Sequence, residues 1–349
     1  MTWFRLALLV PWTLLTVTIR RLGKGPRHPA WSLAYEVIVA LLRNQTERLV
    51  HAPPPTARRM LVSAPLFSLR RHLDVETIEV AGLSAESMTP RDWLPGGPTL
   101  LYLHGGGYVV CSPGTHRDFV GRLARGAKIR CLSIDYRLAP EHPFPAAVDD
   151  AVAAYRALVA NGIDPRRLCI GGDSAGGGLT LATLQRLRDA GDPMPAGAVL
   201  ISPWVDLTCR GQSVHDNEHT CYLSEPALLK FAANYVQGAD PTNPLISAIH
   251  ANLRDLPPTL LLTGDAETLY SENMTLARRA REHGVDLTLH VGEGMVHVWP
   301  AFSALLPEGR PAMRAITAFL MARTHVEMER TDIATSVDRE RRLGSPSSR

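Results

Sequence analysis

The chain has 349 residues, 45% of them hydrophobic, and its 37 basic and 34 acidic residues give a formal net charge of +3. This length suits one large domain or two ordinary ones. Charges so nearly balanced, with no basic run interleaved with aromatic residues, argue against a nucleic-acid partner. The five cysteines form no C-x-x-C pair and no zinc-binding spacing. We therefore expect free thiols, no metal site and a reducing, cytoplasmic location.

The N-terminal segment Leu6–Ile19 is mostly apolar and is flanked by Arg5 and Arg20. As a helix its 14 residues rise about 21 Å, less than the roughly 30 Å hydrocarbon core of a membrane, and Pro11 weakens it further. No small-residue cleavage site follows, which argues against a signal peptide. We expect a helix that caps the protein, with peripheral contact to a membrane surface and a signal or anchor segment as the alternatives.

Helical spacing of apolar residues between Trp31 and Leu42 predicts a core-facing helix. The three prolines Pro53–Pro55 are expected to end this helical region. Alternation over Val75–Val80, followed by a turn at Ala81-Gly82, predicts a hairpin strand. The sequence therefore predicts a helical cap region at residues 1–72 and a main domain at residues 73–325.

Strands and helices then alternate along the main domain, which is typical of a mostly parallel sheet with helices on both faces. The insert at residues 206–252 is too long for an ordinary connection and is expected to add helices to the cap, around Glu225–Tyr235. The polar residues 326–349 are expected to be a disordered tail. The predicted elements are the strands Thr99–Leu103, Ile129–Ile134, Leu168–Ile170, Ala198–Ile201, Thr259–Thr263 and Leu287–Val291, and the helices Arg117–Ala127, Ala146–Ala160, 175–190, Met274–His283 and Pro311–Arg323.

The segment Gly172-Asp-Ser-Ala-Gly176 lies between a predicted strand and a predicted helix. A G-x-S-x-G sequence in that context is typical of a sharp turn that lifts a serine hydroxyl above the sheet edge. A serine hydroxyl needs a base to act as a nucleophile, and the base needs a third group to orient it. Ser174 is therefore a candidate nucleophile. Its neighbour Asp173 cannot reach behind the base from an adjacent position and is interpreted as a hydrogen-bonding residue within the turn.

The base and its acid are expected after the later strands, in the order serine, acid, histidine. His297 follows the last predicted strand and a Gly292-Glu-Gly294 turn, so it is the candidate base. Two acids, Asp265 and Glu267, follow the strand Thr259–Thr263. Asp after Gly often caps a turn, and spacing alone leaves both acids open.

A developing oxyanion needs preorganised donors. The backbone N–H of Ala175 is one candidate, because it follows the nucleophile. The loop His104-Gly-Gly-Gly107 directly follows a strand and supplies Gly105, Gly106 and Gly107 as the others. Glycine lets the backbone approach a substrate with no side chain between them.

From about Val75 to about Phe319 the chain resembles the hormone-sensitive-lipase-like esterases, bacterial family IV of the α/β-hydrolases. The resemblance implies an eight-stranded, mostly parallel sheet, a helical cap, and a serine carboxylesterase that acts on short- to medium-chain acyl esters. It also implies Glu267, two residues before Leu269, as the acid, although Ser271 and Glu272 depart from the usual pattern and are expected to affect loop anchoring. The segments that carry the resemblance are Tyr102–Tyr108, Asp135–Pro145, Gly172–Gly177, Ser202–Asp206, Leu256–Pro258 and Gly294–Trp299.

The sequence is consistent with three hypotheses about the function. The first is an esterase with a small-molecule acyl ester as its partner and no cofactor. The second keeps the same residues but opens lactones or removes acetyl groups from small molecules. The third is a non-catalytic receptor for a small ligand on the same fold, which the presence of His297 disfavours. A homodimer is left open.

Overall fold

The computed structural model describes residues 3–61, 69 and 71–324, with side chains from residue 9 onward. The expected tail at residues 326–349 lies outside this range, as do residues 62–68 and 70 near the cap boundary. The division into a cap region and a main domain therefore stays a prediction.

Among the described residues, three helices precede the sheet: α1 (Trp3–Lys24), α2 (Leu33–His51) and α3 (Pro54–Met60). Helix α2 begins after Ser32, whose hydroxyl accepts a hydrogen bond from the Tyr35 amide at 3.1 Å. The expectation that Pro53–Pro55 simply end the helical region is wrong. Helix α2 already ends at His51, and Pro54 opens α3, because proline fits the first turn of a helix where no amide donor is needed.

Helix α1 packs on α2 through a narrow face that buries Thr13 and Val17. Its opposite face is apolar and exposed. In the part of the chain that is described, no helix combines the length and apolar character needed to cross a bilayer. Peripheral membrane contact and a homodimer stay predictions. The exposed apolar side chains of α1 are Val10, Trp12, Leu14, Leu15, Ile19 and Leu22.

The sheet has eight strands in the order β1-β2-β4-β3-β5-β6-β7-β8. The first hairpin is antiparallel, β2 pairs antiparallel with β4, and every later pairing is parallel. The predicted strands are confirmed with small changes at their ends. Their bounds are β1 Leu73–Val80, β2 Leu83–Pro90, β3 Thr99–Leu103, β4 Arg130–Ile134, β5 Leu168–Asp173, β6 Gly197–Ile201, β7 Thr259–Gly264 and β8 Leu287–Gly292.

Helices cover both faces of the sheet. Alternate residues of the central strands enter two apolar clusters, one including Leu101 and Leu103 and the other including Leu100 and Tyr102. Helices α5 and α6 pack in the first cluster, and α4 and the last helix pack in the second. The helices are α4 Pro113–Ala127, α5 Ala146–Ala160, α6 Ala175–Ala190, α7 Gln212–Asp216, α8 Glu225–Val236, α9 Tyr270–Glu282 and α10, residues 310–324.

Two helices begin earlier than the pattern predicts. Helix α4 begins at Pro113 rather than at Arg117, because Ser112 and Thr115 form a capping box in front of it. Helix α9 begins at Tyr270, four residues before Met274. The first change matters for the site, since it brings His116 into the first turn of a helix.

The carboxyl ends of the parallel strands meet at one edge of the sheet. Leu103, at the end of β3, pairs with Gly172 of β5, and Asp173 pairs with Ile201 of β6. Gly264 of β7 pairs with Gly292 of β8. The loops that follow these strands therefore open side by side. Helix α8, from the insert, packs against α2.

Candidate active site

Ser174 lies at the tight turn between β5 and α6, with φ +54° and ψ −123°. This left-handed backbone conformation is rare for a residue with a side chain. The turn closes against the end of β3: a Cβ at Gly172 would lie 2.6 Å from the carbonyl carbon of Gly176, and one at Gly176 would lie 2.7 Å from the carbonyl oxygen of His104. Only glycine fits at both positions, which explains the G-x-S-x-G spacing.

The loops after β7 and β8 bring a carboxylate to a histidine. Glu267 Oε2 lies 2.8 Å from His297 Nδ1, and both side chains are buried. The other oxygen, Glu267 Oε1, accepts hydrogen bonds from the Thr263 hydroxyl at 2.5 Å and from the Gly264 amide at 3.1 Å. These bonds hold the carboxylate so that its free oxygen faces the imidazole, which leaves His297 Nε2 for another partner.

Asp265 points elsewhere. Its Oδ1 accepts a hydrogen bond from the Gly294 amide at 2.6 Å. Gly294 belongs to the turn that precedes His297, so Asp265 connects the β7 loop to the β8 loop. This geometry does not support Asp265 as the alternative acid that orients the histidine.

The glycine loop after β3 is held in an unusual backbone conformation. Gly106 and Gly107 have φ of +115° and +61°. A Cβ at Gly107 would lie 2.6 Å from Cγ of Phe231. Among the described residues, the amides of Gly106 and Gly107 donate no backbone hydrogen bond, and Ala175 is the first residue of α6, whose amide has no partner within the helix.

Gly105 differs from the other two glycines. Its amide donates to Asp173 Oδ1 at 3.0 Å. The expectation that Gly105 supplies an oxyanion donor is therefore not met, because its only N–H is already engaged by a buried carboxylate.

Asp173 also has a different role from the one expected. Its hydrogen bonds do not stay within the turn but reach Tyr102, whose hydroxyl donates to Oδ1 at 2.6 Å, and His116, whose Nε2 lies 3.3 Å from Oδ2. Burial by itself raises the pKa of Asp173. The charge and hydrogen bond of His116 and the Tyr102 bond outweigh burial and lower that pKa to about 2. The side chain is thus an anion beside Ser174.

His116 was missed by the sequence reasoning, which placed it before the start of a helix. Burial alone would lower the pKa of His116, but the charge of Asp173 and the hydrogen bond to it raise this pKa above its usual value. The available signal is Ser112 followed by Pro113, because serine at the cap and proline at the first position are typical of a helix start, and this start includes His116 in the helix.

A cavity of about 410 Å³ opens above these groups, and Ser174 and His297 both line it. Helices α2, α4 and α8 contribute to its wall. Its lining is mostly apolar, and the charged or titratable lining residues besides His297 are Cys111, His116, Asp118, Arg122, Asp173 and Tyr222. The apolar lining includes Leu42, Leu49, Leu61, Val110, Phe119, Leu223, Leu228, Phe231 and Phe302.

Ser271 and Glu272, where the chain departs from the family pattern, both anchor loops. The Ser271 hydroxyl lies 2.9 Å from that of Ser213 in the insert. Glu272 is buried, and its Oε1 accepts hydrogen bonds from the amides of Val205 and Asp206 at 2.7 and 3.2 Å. Burial raises the pKa of Glu272 well above its usual range. These contacts anchor the loops, which is the effect expected at the two positions.

Comparison with known proteins agrees with this fold. A family model described as an alpha/beta hydrolase fold matches residues 100–301. An acetyl-hydrolase of Streptomyces hygroscopicus is 46% identical over 229 residues, which cover 65% of this chain and 77% of the relative. An esterase of Acinetobacter venetianus is 32% identical over 256 residues, which cover 73% of this chain and 84% of the relative.

Solved structures are similar over most of the chain. An esterase from the bacterial hormone-sensitive lipase family has 40% identity and a TM-score of 0.76, and the match covers 84% of this chain and 99% of that structure. EstE5, in a crystal soaked with p-nitrophenyl butyrate, has 41% identity and a TM-score of 0.77 over 83% of this chain and 99% of that structure. The chain belongs to the hormone-sensitive-lipase-like esterases of the α/β-hydrolase superfamily.

Proposed function

We propose that this protein is a serine carboxylesterase that hydrolyses short- to medium-chain acyl esters through an acyl-enzyme intermediate. One observation carries the proposal: the buried Glu267–His297 hydrogen bond of 2.8 Å stands beside the cavity that Ser174 lines. A carboxylate that fixes a histidine within reach of a serine hydroxyl is the arrangement that makes serine nucleophilic.

In the first half-reaction the Ser174 Oγ attacks the ester carbonyl, and His297 Nε2 takes the hydroxyl proton. Glu267 accepts the Nδ1–H bond and stabilises the imidazolium that forms. The tetrahedral intermediate then collapses, and the departing alcohol takes the proton from His297. In the second half-reaction a water molecule attacks the acyl-enzyme with the same histidine as base, which releases the acid and restores Ser174.

The negative charge that develops on the carbonyl oxygen needs donors that are already in place. We assign this part to the amides of Gly106, Gly107 and Ala175. Each such donor typically contributes about 2.7–4 kcal/mol to the transition state. The positive φ of the two glycines and the contact of Gly107 with Phe231 support this assignment, because they fix the loop against α8.

The cavity supports small acyl groups. Its volume of about 410 Å³ is near the lower end of ordinary ligand pockets. Apolar side chains from α2 and α8 line part of it, so an acyl chain can bury itself against these two helices of the expected cap. We therefore expect butyrate and hexanoate esters to be hydrolysed faster than long-chain esters.

The decisive experiment is Ser174→Ala with a series of p-nitrophenyl esters from acetate to laurate. Turnover should fall to background on every ester, while the melting temperature stays close to that of the wild type. A tagged fluorophosphonate should label the wild type and not the variant. Turnover by the variant near the wild-type rate would sink the assignment of Ser174.

A second candidate keeps the same residues but acts on acetyl groups. It is favoured by the relative named acetyl-hydrolase, which is 46% identical to this chain. Rates on acetylated amines, lactones and p-nitrophenyl acetate, measured on one preparation, separate the candidates. A wild-type protein that binds esters without turnover and resists fluorophosphonate would instead favour the receptor reading.

A further inference from the structure

A carboxylate beside the nucleophile is a liability for the chemistry proposed above. Asp173 precedes Ser174 in the chain, lines the same cavity and is buried. It holds the glycine loop through the Gly105 amide. A negative charge at this place also opposes the negative charge that develops on the substrate carbonyl. The loop anchor therefore needs a compensating positive charge.

The hydrogen bonds of His116 identify that charge. Its Nε2 faces Asp173 Oδ2 at 3.3 Å, and a carboxylate only accepts. Its Nδ1 lies 2.9 Å from the hydroxyl of Thr115. The same hydroxyl lies 2.7 Å from the carbonyl of Ser112, which can only accept. With the Thr115 hydrogen on that carbonyl, both ring nitrogens of His116 carry hydrogen and the ring is an imidazolium, in agreement with the raised pKa of His116.

Other titratable groups surround this ring. From the β3 side, Tyr102 and His104 approach it with ring centroids at 6.4 and 5.7 Å. Burial, followed by the charge of His116, lowers the pKa of His104 to about 3, so His104 is neutral and adds no second cation. Cys111 and His297 line the same cavity, and Asp118 and Arg122 lie on the same helix as His116. Burial raises the pKa of the Cys111 thiol to about 12, which leaves it neutral as well.

The two charged neighbours of His116 on helix α4, Asp118 and Arg122, are already engaged by other partners. Asp118 Oδ2 pairs with Arg122 at 2.8 Å. Arg122 also donates to the Ser303 hydroxyl at 2.6 Å and to the Ala301 carbonyl at 2.8 Å. Among the described residues, His116 is the cation that contacts Asp173 directly.

We propose that His116 is a positioning residue for ester hydrolysis, which keeps Asp173 in place to hold the glycine loop and cancels its charge near the forming oxyanion. The inference rests on the proposed function. It assigns the residue an effect on the transition state rather than on substrate binding. Loss of the cation should therefore lower kcat and leave KM nearly unchanged.

The inference also sets the sign of a pH effect. His116 must be charged, and its pKa is raised above the usual value, so activity falls at a pH above about 6.5 as this ring loses its proton. The alkaline limb belongs to His116.

The test measures kcat and KM on p-nitrophenyl butyrate from pH 5.5 to 10 for the wild type, His116→Gln and His116→Lys. His116→Gln should lower kcat about 10- to 100-fold, less than the 10²- to 10³-fold typical of losing an oxyanion donor. Its KM should stay within about twofold, and its alkaline limb should disappear. His116→Lys keeps a cation, so it should recover part of the loss and move the alkaline limb to higher pH.

A double-mutant cycle with Asp173→Asn separates charge compensation from packing. Once the carboxylate is neutral, His116→Gln should cost much less than it costs in the wild type. His142→Gln is the matched control, because His142 is exposed and lines a neighbouring cavity. It should leave kcat and the pH profile as they are. Thermal melts show whether each variant is folded.

The outcomes distinguish this inference from the proposed function. A wild type with no esterase activity and no fluorophosphonate labelling overturns the proposed function before any variant is made. An active wild type whose His116→Gln variant keeps its kcat and its alkaline limb overturns only the part given to His116. An equal loss from His116→Gln with and without Asp173→Asn does the same, since it makes the histidine a packing residue.

Discussion

At the residue scale, the site depends on which of two nearby acids faces the histidine. Asp265 and Glu267 stand two positions apart in one loop, yet they do different things. Asp265 ties the loop to the Gly294 amide, and Glu267 reaches His297. The extra methylene of Glu267 and its bonds to Thr263 and Gly264 direct it toward the ring.

We expect losses of very different size when each of the two acids is replaced by its amide. Glu267→Gln should lower kcat by on the order of 10⁴, because an amide favours the wrong imidazole tautomer and cannot stabilise an imidazolium. Asp265→Asn should change kcat less than about tenfold, since the amide oxygen can still accept from Gly294. Steady-state kinetics on p-nitrophenyl butyrate checks both. A larger loss for Asp265→Asn than for Glu267→Gln would reverse the assignment of the acid.

At the element scale, polar contacts with α2 help to hold α1 in place, in the part of α1 whose side chains are described. The buried carboxylate of Glu36, on α2, is paired with Arg20 and Arg21 of α1. Arg21 also donates to the Trp31 carbonyl at 3.1 Å. Since α2 lines the cavity, a change in how α1 packs on α2 should affect the site through α2.

Glu36→Gln should loosen α1. We expect the free energy of unfolding to fall by about 1–3 kcal/mol, because two partly exposed arginines lose a charged acceptor that is itself buried. Urea unfolding measures the loss, and limited proteolysis between α1 and α2 should become faster. Asp74→Asn is the control: its pair with Arg91 is long, at 3.6 Å, and exposed, so the change should stay within about 0.5 kcal/mol. Equal losses in the two variants would contradict the role given to Glu36.

At the scale of the whole molecule, the free energy of unfolding depends on pH through buried histidines that lie close together. Of these, His104 is neutral and His116 is charged. His104 is fully buried, stacks on Tyr136 with centroids 4.3 Å apart, and has Nδ1 2.7 Å from the Gly105 carbonyl. Because its folded pKa of about 3 lies below the unfolded value of 6.5, the unfolded chain binds more protons between these two pH values. This contribution to stability is present above pH 6.5 and is lost as the pH falls toward 3.

His104→Asn should therefore flatten the acid side of the stability profile. One pKa unit corresponds to about 1.4 kcal/mol, so His104 should cost the wild type about 2 kcal/mol between pH 7 and pH 5. The asparagine amide can replace the Nδ1–H bond and does not titrate. Urea unfolding at both pH values should show a smaller loss for the variant, with His142→Asn as the exposed control. Identical losses in the wild type and His104→Asn would count against this account.

Much of the fold was predictable because its signals are local. Strand β3 and helix α5 have the predicted bounds, since a short apolar run and an alanine-rich amphipathic segment each carry their own signal. The predicted start of α4 is too late, because Ser112 and Pro113 begin the helix four residues earlier. The three prolines do not stop the helical region, because the first turn of a helix accepts proline.

The order of elements, the glycine requirement at the serine turn and the candidate nucleophile and base follow from the amino-acid sequence, because backbone conformation and strand order depend on residues near one another in the chain. The contact of the Gly105 amide with Asp173 and the turn of Asp265 toward Gly294 follow from the folded arrangement of the strands. That arrangement also brings His116 of α4 to Asp173 of β5. Each of these contacts joins loops or elements at the carboxyl edge of the sheet, where the partner of a polar atom depends on which strands lie next to each other.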